Sequence, residues 1–445
     1  MHSKEAMTSI SRRQVLLGGI GLTATAALTA CSVGGTGAVT TTITVPPTTD
    51  PTIPTGQASA SSTTTTIDKT PPISSAAASI QPARMTMTPA AGATGVAPAE
   101  PITVAVFNAA IDEVTLTGAG GAVIAGTIAE DKHTWTATDR PKYGVKYTLT
   151  GTATASDGSR QPLTGTFTTA EPAETMRAAV QIPNGQTVGI AAPIVVTFAA
   201  AVANRAVAER NLRVTATDAN DQPIGIEGSW GWMQDEDIQG NGIKQSRVHF
   251  RPKEYWPAGT KVHLEANLYG VNYGDGWGRE NVVRDFTIGP ALKVIAKVAS
   301  HRLLVVEGDN VIKNFPVAYG VPASVDDGRT TVSGIHVITE KLDLKIMCNP
   351  KYGYCGFKAY WAVRMNNNGE FIHANQEVAD KGLLGKENVS HGCVNMSLKD
   401  AETFYNMVYY GVPVDVEDTG VPMTQADYIW DWSVPYTQWK TFSAL

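Results

Sequence analysis

The sequence predicts a mostly β chain, in which two Ig-like β-sandwich domains are followed by a third strand-rich domain with one or two helices. Three observations predict it. Short runs of alternating apolar and polar residues, set off by turn residues, recur through residues 82–289 with almost no helical periodicity, as sandwich strands do. Two stretches of that region echo each other. Ile102–Phe107 and Ile194–Phe198 start 92 residues apart (194 minus 102), each after a Gly with an apolar neighbour, Gly95-Val96 or Gly189-Ile190. Finally, every residue suited to chemistry falls after Pro290.

A chain of 445 residues is long for one core, and roughly 150 residues per domain gives two or three units. With 35 Lys and Arg against 41 Asp and Glu, it has no basic field for nucleic acid. Residues 1–31 read as a signal peptide. Ser11-Arg12-Arg13-Gln14-Val15-Leu16 resembles a twin-arginine export signal, though general export remains open, and an apolar stretch leads to Leu28-Thr29-Ala30-Cys31, which looks like a lipobox. The expectation is an extracytoplasmic protein tethered to the cell membrane by a lipid on Cys31. Residues 32–81 are Thr, Ser, Ala, Pro and Gly with almost no aromatic or charged residue, too polar to repay chain entropy by burial, and are expected to be a disordered stalk.

The Ig-like domains are placed at 82–172 and 173–289. In each, a turn leads into an alternating strand, at Pro141–Tyr147 and Tyr255–Val262, and each closes on a strand, Thr164–Thr169 and Val283–Ile288. The third domain, 290–418, opens with strand-like Leu292–Ala299 and Leu303–Val306. It carries one amphipathic helix, capped by Ser397 with Asp400 three residues on and with Ala401, Phe404, Tyr405 and Val408 on one face. The tail, 419–445, holds Trp430, Trp432, Tyr436 and Trp439, too many aromatics to leave in water, so it should dock on the protein.

Four cysteines are present. With Cys31 lipidated, Cys348 and Cys355 could pair or stay reduced, and Cys393 remains. A thiol attacks carbonyls only as thiolate, so it needs a base and donors for the oxyanion it creates. In Ser390-His391-Gly392-Cys393-Val394-Asn395, Gly392 allows close backbone approach, and the amides around Cys393 can form an oxyanion nest. The expected base is His373, at the end of the apolar run Phe371-Ile372-His373. His391 is its rival, but adjacency to Gly392-Cys393 suits a supporting role better. His249, His263, His301 and His336 lie in strand patterns without evident partners and read as structural.

A His followed at 14 to 17 residues by Ser/Thr-His-Gly-Cys-x-Asn is the signature of the L,D-transpeptidases; here sixteen residues separate His373 from Ser390. With its twin Ig-like domains and Trp-bearing tail, the chain resembles the mycobacterial lipoprotein type of these enzymes over most of its length beyond the stalk. The resemblance implies a catalytic β-sandwich with a substrate lid, and an acyltransferase that uses no cofactor. By the same resemblance it would act on peptidoglycan stem peptides in cell-wall biogenesis, form 3-3 cross-links, and be acylated by β-lactams of the carbapenem class. By position it implies Cys393 as nucleophile and His373 as base, oriented by the backbone carbonyl of Ala374. It also implies Tyr352 as the lid tyrosine, and Asn368, Gly369 and Asn395 as substrate contacts. This chain departs from the pattern in two places. Cys348 and Cys355 bracket Tyr352, where a disulfide would stiffen the lid, and Thr331-Val332-Ser333-Gly334 replaces a Pro-containing turn, with little effect expected on the chemistry. Asn272–Gly276, a calcium loop in some relatives, offers one carboxylate, so no metal is expected.

Competing readings are a wall-binding lipoprotein whose Ig-like domains do the work, a Cys/His metal site, and a cysteine peptidase that hydrolyses the same bond. Retention of Cys393, His373 and Asn395 argues against the first. The absence of a further ligand at metal spacing argues against the second. Sequence barely separates the third from transfer.

Overall fold

A computed structural model describes residues 82–323 and 328–445. The expected signal peptide, Cys31 and the stalk lie outside the described residues. Among those described, no helix is long and apolar enough to cross a membrane.

Three β-sandwiches follow one another. In the first, a sheet of Arg84–Thr88, Thr103–Phe107, Thr134–Ala137 and Gly126–Ile128 faces one of Val123–Ile124, Ala109–Gly118, Lys146–Ala155 and Arg160–Thr168. Leu116, Trp135, Leu149 and the stacked rings of Tyr147 and Phe167, 5.4 Å apart, fill the space between. In the second, Ala178–Val180, Ile194–Phe198, Arg247–Pro252 and Gly228–Trp232 face Thr187–Val188, Val282–Ile288, Lys261–Ala266 and Leu212–Thr217 over Phe198, Trp256 and Tyr273. A short helix, Arg205–Arg210, interrupts this second domain, capped by Asn204 through Val207 N. Six residues are too few to carry a helical apolar stripe, so periodicity does not reveal it. The loop compared with a calcium site adjoins a joint between the two domains: Tyr143 of the first bonds Gly278 O at 2.7 Å, and its ring meets Tyr269 and Trp277.

The third sandwich sets a five-stranded sheet, Asn310–Pro316, Arg302–Glu307, Leu292–Lys297, Pro413–Val416 and Gly334–Val337, against a four-stranded one, Glu340–Asn349, Tyr354–Arg364, Phe371–Ala374 and Val394–Met396. The predicted helix is present as Leu398–Met407, with the Ser397 hydroxyl accepting from Asp400 N at 3.1 Å, and it buries Ala401 and Phe404. Phe371–Ala374 and Val394–Met396 run parallel, with Ile372 opposite Val394, His373 opposite Asn395 and Ala374 opposite Met396. Parallel neighbours need a crossover of a dozen or more residues. Residues 375–393 are that crossover, so the spacing of the His and Cys motifs is the length of one loop around the sheet.

The tail docks across the seam between the second and third sandwiches. Trp439 is fully buried and donates to Ser229 O at 3.0 Å, and Trp432 donates to Ala191 O at 2.8 Å. Arg251 lies under Trp432, Tyr436 and Trp439 and bonds Val434 O at 2.7 Å. Backbone bonds close the same seam, from Gly189 N to Tyr410 O at 2.8 Å and Ala191 N to Gly411 O at 2.9 Å. A Cβ on Gly189 would fall 2.3 Å from Gly411 C, so only glycine permits this approach. Trp439→Ala should therefore cost about 3–5 kcal/mol. A thermal midpoint within one degree of the parent's would contradict that.

Candidate active site

The hairpin Glu340–Asn349/Tyr354–Arg364 rises over the end of the parallel pair as a lid. Its tip is a 3-10 turn, Pro350–Tyr352, capped by Asn349 and closed by Gly353 at φ 76°. Cys348 and Cys355, opposite each other in register, are joined as a disulfide, and Cys393 is the free cysteine among the described residues.

Under the lid lies a cavity of about 320 Å³. Cys393, His373, His391 and Asn395 all line it, as do Tyr354 and Phe357. Gly392 holds φ 108°, the conformation that favours glycine, and a Cβ there would stand 3.1 Å from the Glu370 carboxyl. Cys393 is partly open to the cavity but packs against Met347, Ala359, Ala362 and Phe371. That apolar crowding pushes its thiol up to about 12, against the pull of the Phe371 amide and with a smaller push from Glu370. The sulfur donates to Gly369 O at 3.8 Å.

His373 is buried beneath Phe357, whose ring centroid is 5.6 Å away. Its Nδ1 bonds the Ala374 carbonyl at 2.8 Å, and since a carbonyl only accepts, Nδ1 carries the proton and Nε2 offers a lone pair. Nε2 receives the Asn395 amide at 3.3 Å. Burial pushes the imidazole down to about 4, the Ala374 bond only partly opposing it. Thiol and imidazole thus rest as a neutral pair near pH 7.

The other predicted residues sit differently from one another. His391 is exposed at the rim, its ring tilted against those of Tyr352 and Tyr354, at 5.0 and 5.5 Å. Tyr352 does not line the cavity; Lys351 Nζ donates to its hydroxyl at 2.9 Å. Asn368 does not line it either, because its amide bonds Asp427 of the tail and its backbone N bonds Asn366 Oδ1 at 3.0 Å. Gly369, at φ 95°, contributes its carbonyl to the thiol.

Two expectations need correction. The turn at Thr331–Gly334 is no bystander: Thr331 Oγ1 donates to Gly392 O at 2.8 Å, and Val332 N donates to Glu370 at 3.0 Å, so it braces the nucleophile's loop from behind. The four structural histidines do have partners: His249 bonds Asp431, His263 bonds Asp285, His301 bonds Asn388, and His336 donates to Val332 O.

Sequence reasoning missed Tyr354, Phe357, Asn375 and Glu370. Glu370, 6% exposed, takes hydrogen bonds from Val332 N and Asn366, and burial pushes its carboxyl up to about 8. Its only sequence signal was a carboxylate abutting the apolar run into His373.

His336 is likewise buried and pushed down to about 4 by desolvation. Both histidines titrate lower in the folded chain than the usual value near 6.5, so their contribution to stability is present above pH 6.5 and is lost as pH falls toward 4. The size is roughly 3 kcal/mol each. Urea unfolding at pH 7 and pH 4.5 should show a clear drop in midpoint, which His336→Gln reduces; equal midpoints would refute it.

A free thiol and an imidazole with an open ring nitrogen on one cavity are the equipment of a cysteine acyl-transfer enzyme. Residues 292–416 match the L,D-transpeptidase catalytic domain, and residues 93–272 match the bacterial Ig domain. The chain is 42% identical to L,D-transpeptidase 5 of Mycobacterium tuberculosis H37Rv over 81% of its own length and 77% of that protein's. It is 28% identical to L,D-transpeptidase 2 of Mycobacterium tuberculosis CDC 1551, over 79% and 83%. The crystal structure of L,D-transpeptidase 3 from Mycobacterium tuberculosis with a faropenem-derived adduct shares 27% identity at a TM-score of 0.40, covering 54% of this chain and 97% of that one. The chain belongs to the L,D-transpeptidase family. It is a peptidoglycan-modifying acyltransferase.

Proposed function

We propose that this L,D-transpeptidase forms 3-3 cross-links by thiol acylation. Cys393 attacks the carbonyl of the third residue of a tetrapeptide stem, while His373 Nε2 takes the thiol proton. The amides around Gly392 and Cys393 receive the oxyanion. Collapse breaks the bond to the terminal D-Ala, whose amine leaves with the proton from His373, and a thioester remains on Cys393. The side-chain amine of a second stem then attacks, gives a proton to His373, and returns the thiol as the new amide forms. The observation that carries this reading is the placing of Cys393 and His373 on one cavity, with Nδ1 committed to Ala374 O and Nε2 left as the acceptor.

In the test, the full chain is mixed with a disaccharide tetrapeptide and followed by mass. A dimer one D-Ala lighter than two substrates is the expected product. Tripeptide alone would make water the acceptor and the enzyme a carboxypeptidase. No turnover, with no carbapenem adduct on Cys393, would overturn the reading. A carbapenem should add to the same thiol by opening its strained ring, without releasing a fragment.

Ser11–Leu16 and Leu28–Cys31 support export and a lipid anchor, so the enzyme would act on the outer face of the cell membrane. Labelled palmitate should enter the wild-type chain and not Cys31→Ala; equal labelling would exclude the anchor at Cys31.

A further inference from the structure

We propose that Asn375 is a positioning residue of the acyl transfer: through the side chain of Asn395 it decides which atom faces Nε2 of His373. This rests on the reading of His373 as the base and goes one residue beyond it.

Asn375 ends the strand Phe371–Ala374 and caps the helix Gln376–Asp380, its Oδ1 accepting from Val378 N at 3.3 Å. With Oδ1 committed to the cap, its Nδ2 turns the other way and donates to Asn395 Oδ1 at 3.0 Å. Asn395 itself is 2% exposed. Its backbone is fixed on both sides, bonded to Ala318 through N at 2.8 Å and through O at 3.0 Å, and it lies opposite His373 in the parallel ladder. The freedom left to it is a half-turn of its amide. The bond from Asn375 removes that freedom, because a half-turn would set two donors against each other.

Asn395 Nδ2 therefore faces His373 Nε2, at 3.3 Å, while Nδ1 donates to Ala374 O. The result is a chain of one polarity, from the helix cap through two amides and the imidazole to a backbone carbonyl. It holds His373 in the tautomer that a base for Cys393 requires. It also limits how long the ring keeps a proton, since a protonated Nε2 would present N–H to the Asn395 N–H, and the proton moves on to the departing amine. The long contact at Nε2 is the one given up when the thiol proton arrives. The other titratable groups on this cavity are Cys393, Tyr354, His391, Glu377 and Lys381, of which the last two are paired at 2.6 Å. Burial lowers the basicity of His373 and the Ala374 bond opposes it; by geometry, an amide donor facing Nε2 favours the neutral ring as well.

Asn375→Asp separates the two jobs of the residue. Aspartate caps a helix as well as asparagine does, so the cap stays, but the donor to Asn395 is gone. The Asn395 amide is then drawn to donate to the carboxylate, and its Oδ1 turns to Nε2, where it stabilises an N–H. Long-range proton–nitrogen NMR spectra of the full chain, with the His373 ring identified by its loss in His373→Gln, follow the titration. In Asn375→Asp the midpoint of His373 should rise by more than one pH unit, and carbapenem acylation at pH 7, followed by mass, should slow at least tenfold. Asn375→Ala brings no charge, and its midpoint should rise as well, though less. If Asn375→Asp titrates and acylates like wild type, the proposal is wrong. It is equally wrong if Asn375→Ala leaves the midpoint in place, since the aspartate effect would then be charge alone. A wild-type chain that forms no adduct on Cys393 would sink the acyl-transfer reading instead.

Discussion

Cys393→Ala is expected to reduce cross-linking and D-Ala release by on the order of 10³-fold or more, and to abolish the covalent carbapenem adduct. The substitution removes one sulfur from a partly open position, so the thermal midpoint should move only a few degrees. Turnover of the tetrapeptide above a few per cent of wild type, in a chain of unchanged fold, would show that the thiol is not the nucleophile. Ser390 is no substitute, because its hydroxyl is already committed to the Cys393 carbonyl.

His373→Gln should slow acylation by about 10²- to 10⁴-fold at pH 7, the usual worth of a positioned base. The pH dependence is the sharper readout. In the parent, His373 is pushed down to about 4 and the thiol up to about 12, so the base is free and the thiol protonated across the neutral range. Acylation should be nearly flat from pH 6 to 8 and fall only on stronger acidification, as the imidazole gains its proton. Without the base, the rate follows the small thiolate fraction and climbs about tenfold per pH unit. A flat profile in His373→Gln would mean that another group deprotonates Cys393.

Much of this arrangement was legible in the chain. The echo of Ile102–Phe107 in Ile194–Phe198 marked two similar sandwiches because alternating strands must bury one face. The interval from His373 to Ser390 was legible only as a family signature; the fold supplies its physical reason, a crossover between parallel strands. The helix Leu398–Met407 could be read from its cap and its apolar face. What escaped was set by contacts distant in sequence. Asn368 looked available to substrate, yet its partner, Asp427, comes from the tail 59 residues later. Tyr352, read as the lid tyrosine, rests on His391 at the cavity, and Tyr354 two residues on lines the cavity, which no local pattern announced. Thr331 looked incidental until the fold brought its hydroxyl to Gly392, 61 residues away. Local pattern carries the strands and the spacing, while the partner of a polar side chain depends on which strands become neighbours.

The seam between the second and third sandwiches also has a mechanical meaning. The catalytic domain is joined to its neighbour by the covalent link at Gly289-Pro290, and again by the Gly189–Tyr410 and Ala191–Gly411 backbone bonds with the aromatic tail over Arg251. These attachments act in parallel. A rotation of the catalytic domain about the Gly289-Pro290 link alone would therefore have to break the Gly189 and Ala191 bonds and lift the tail from Arg251.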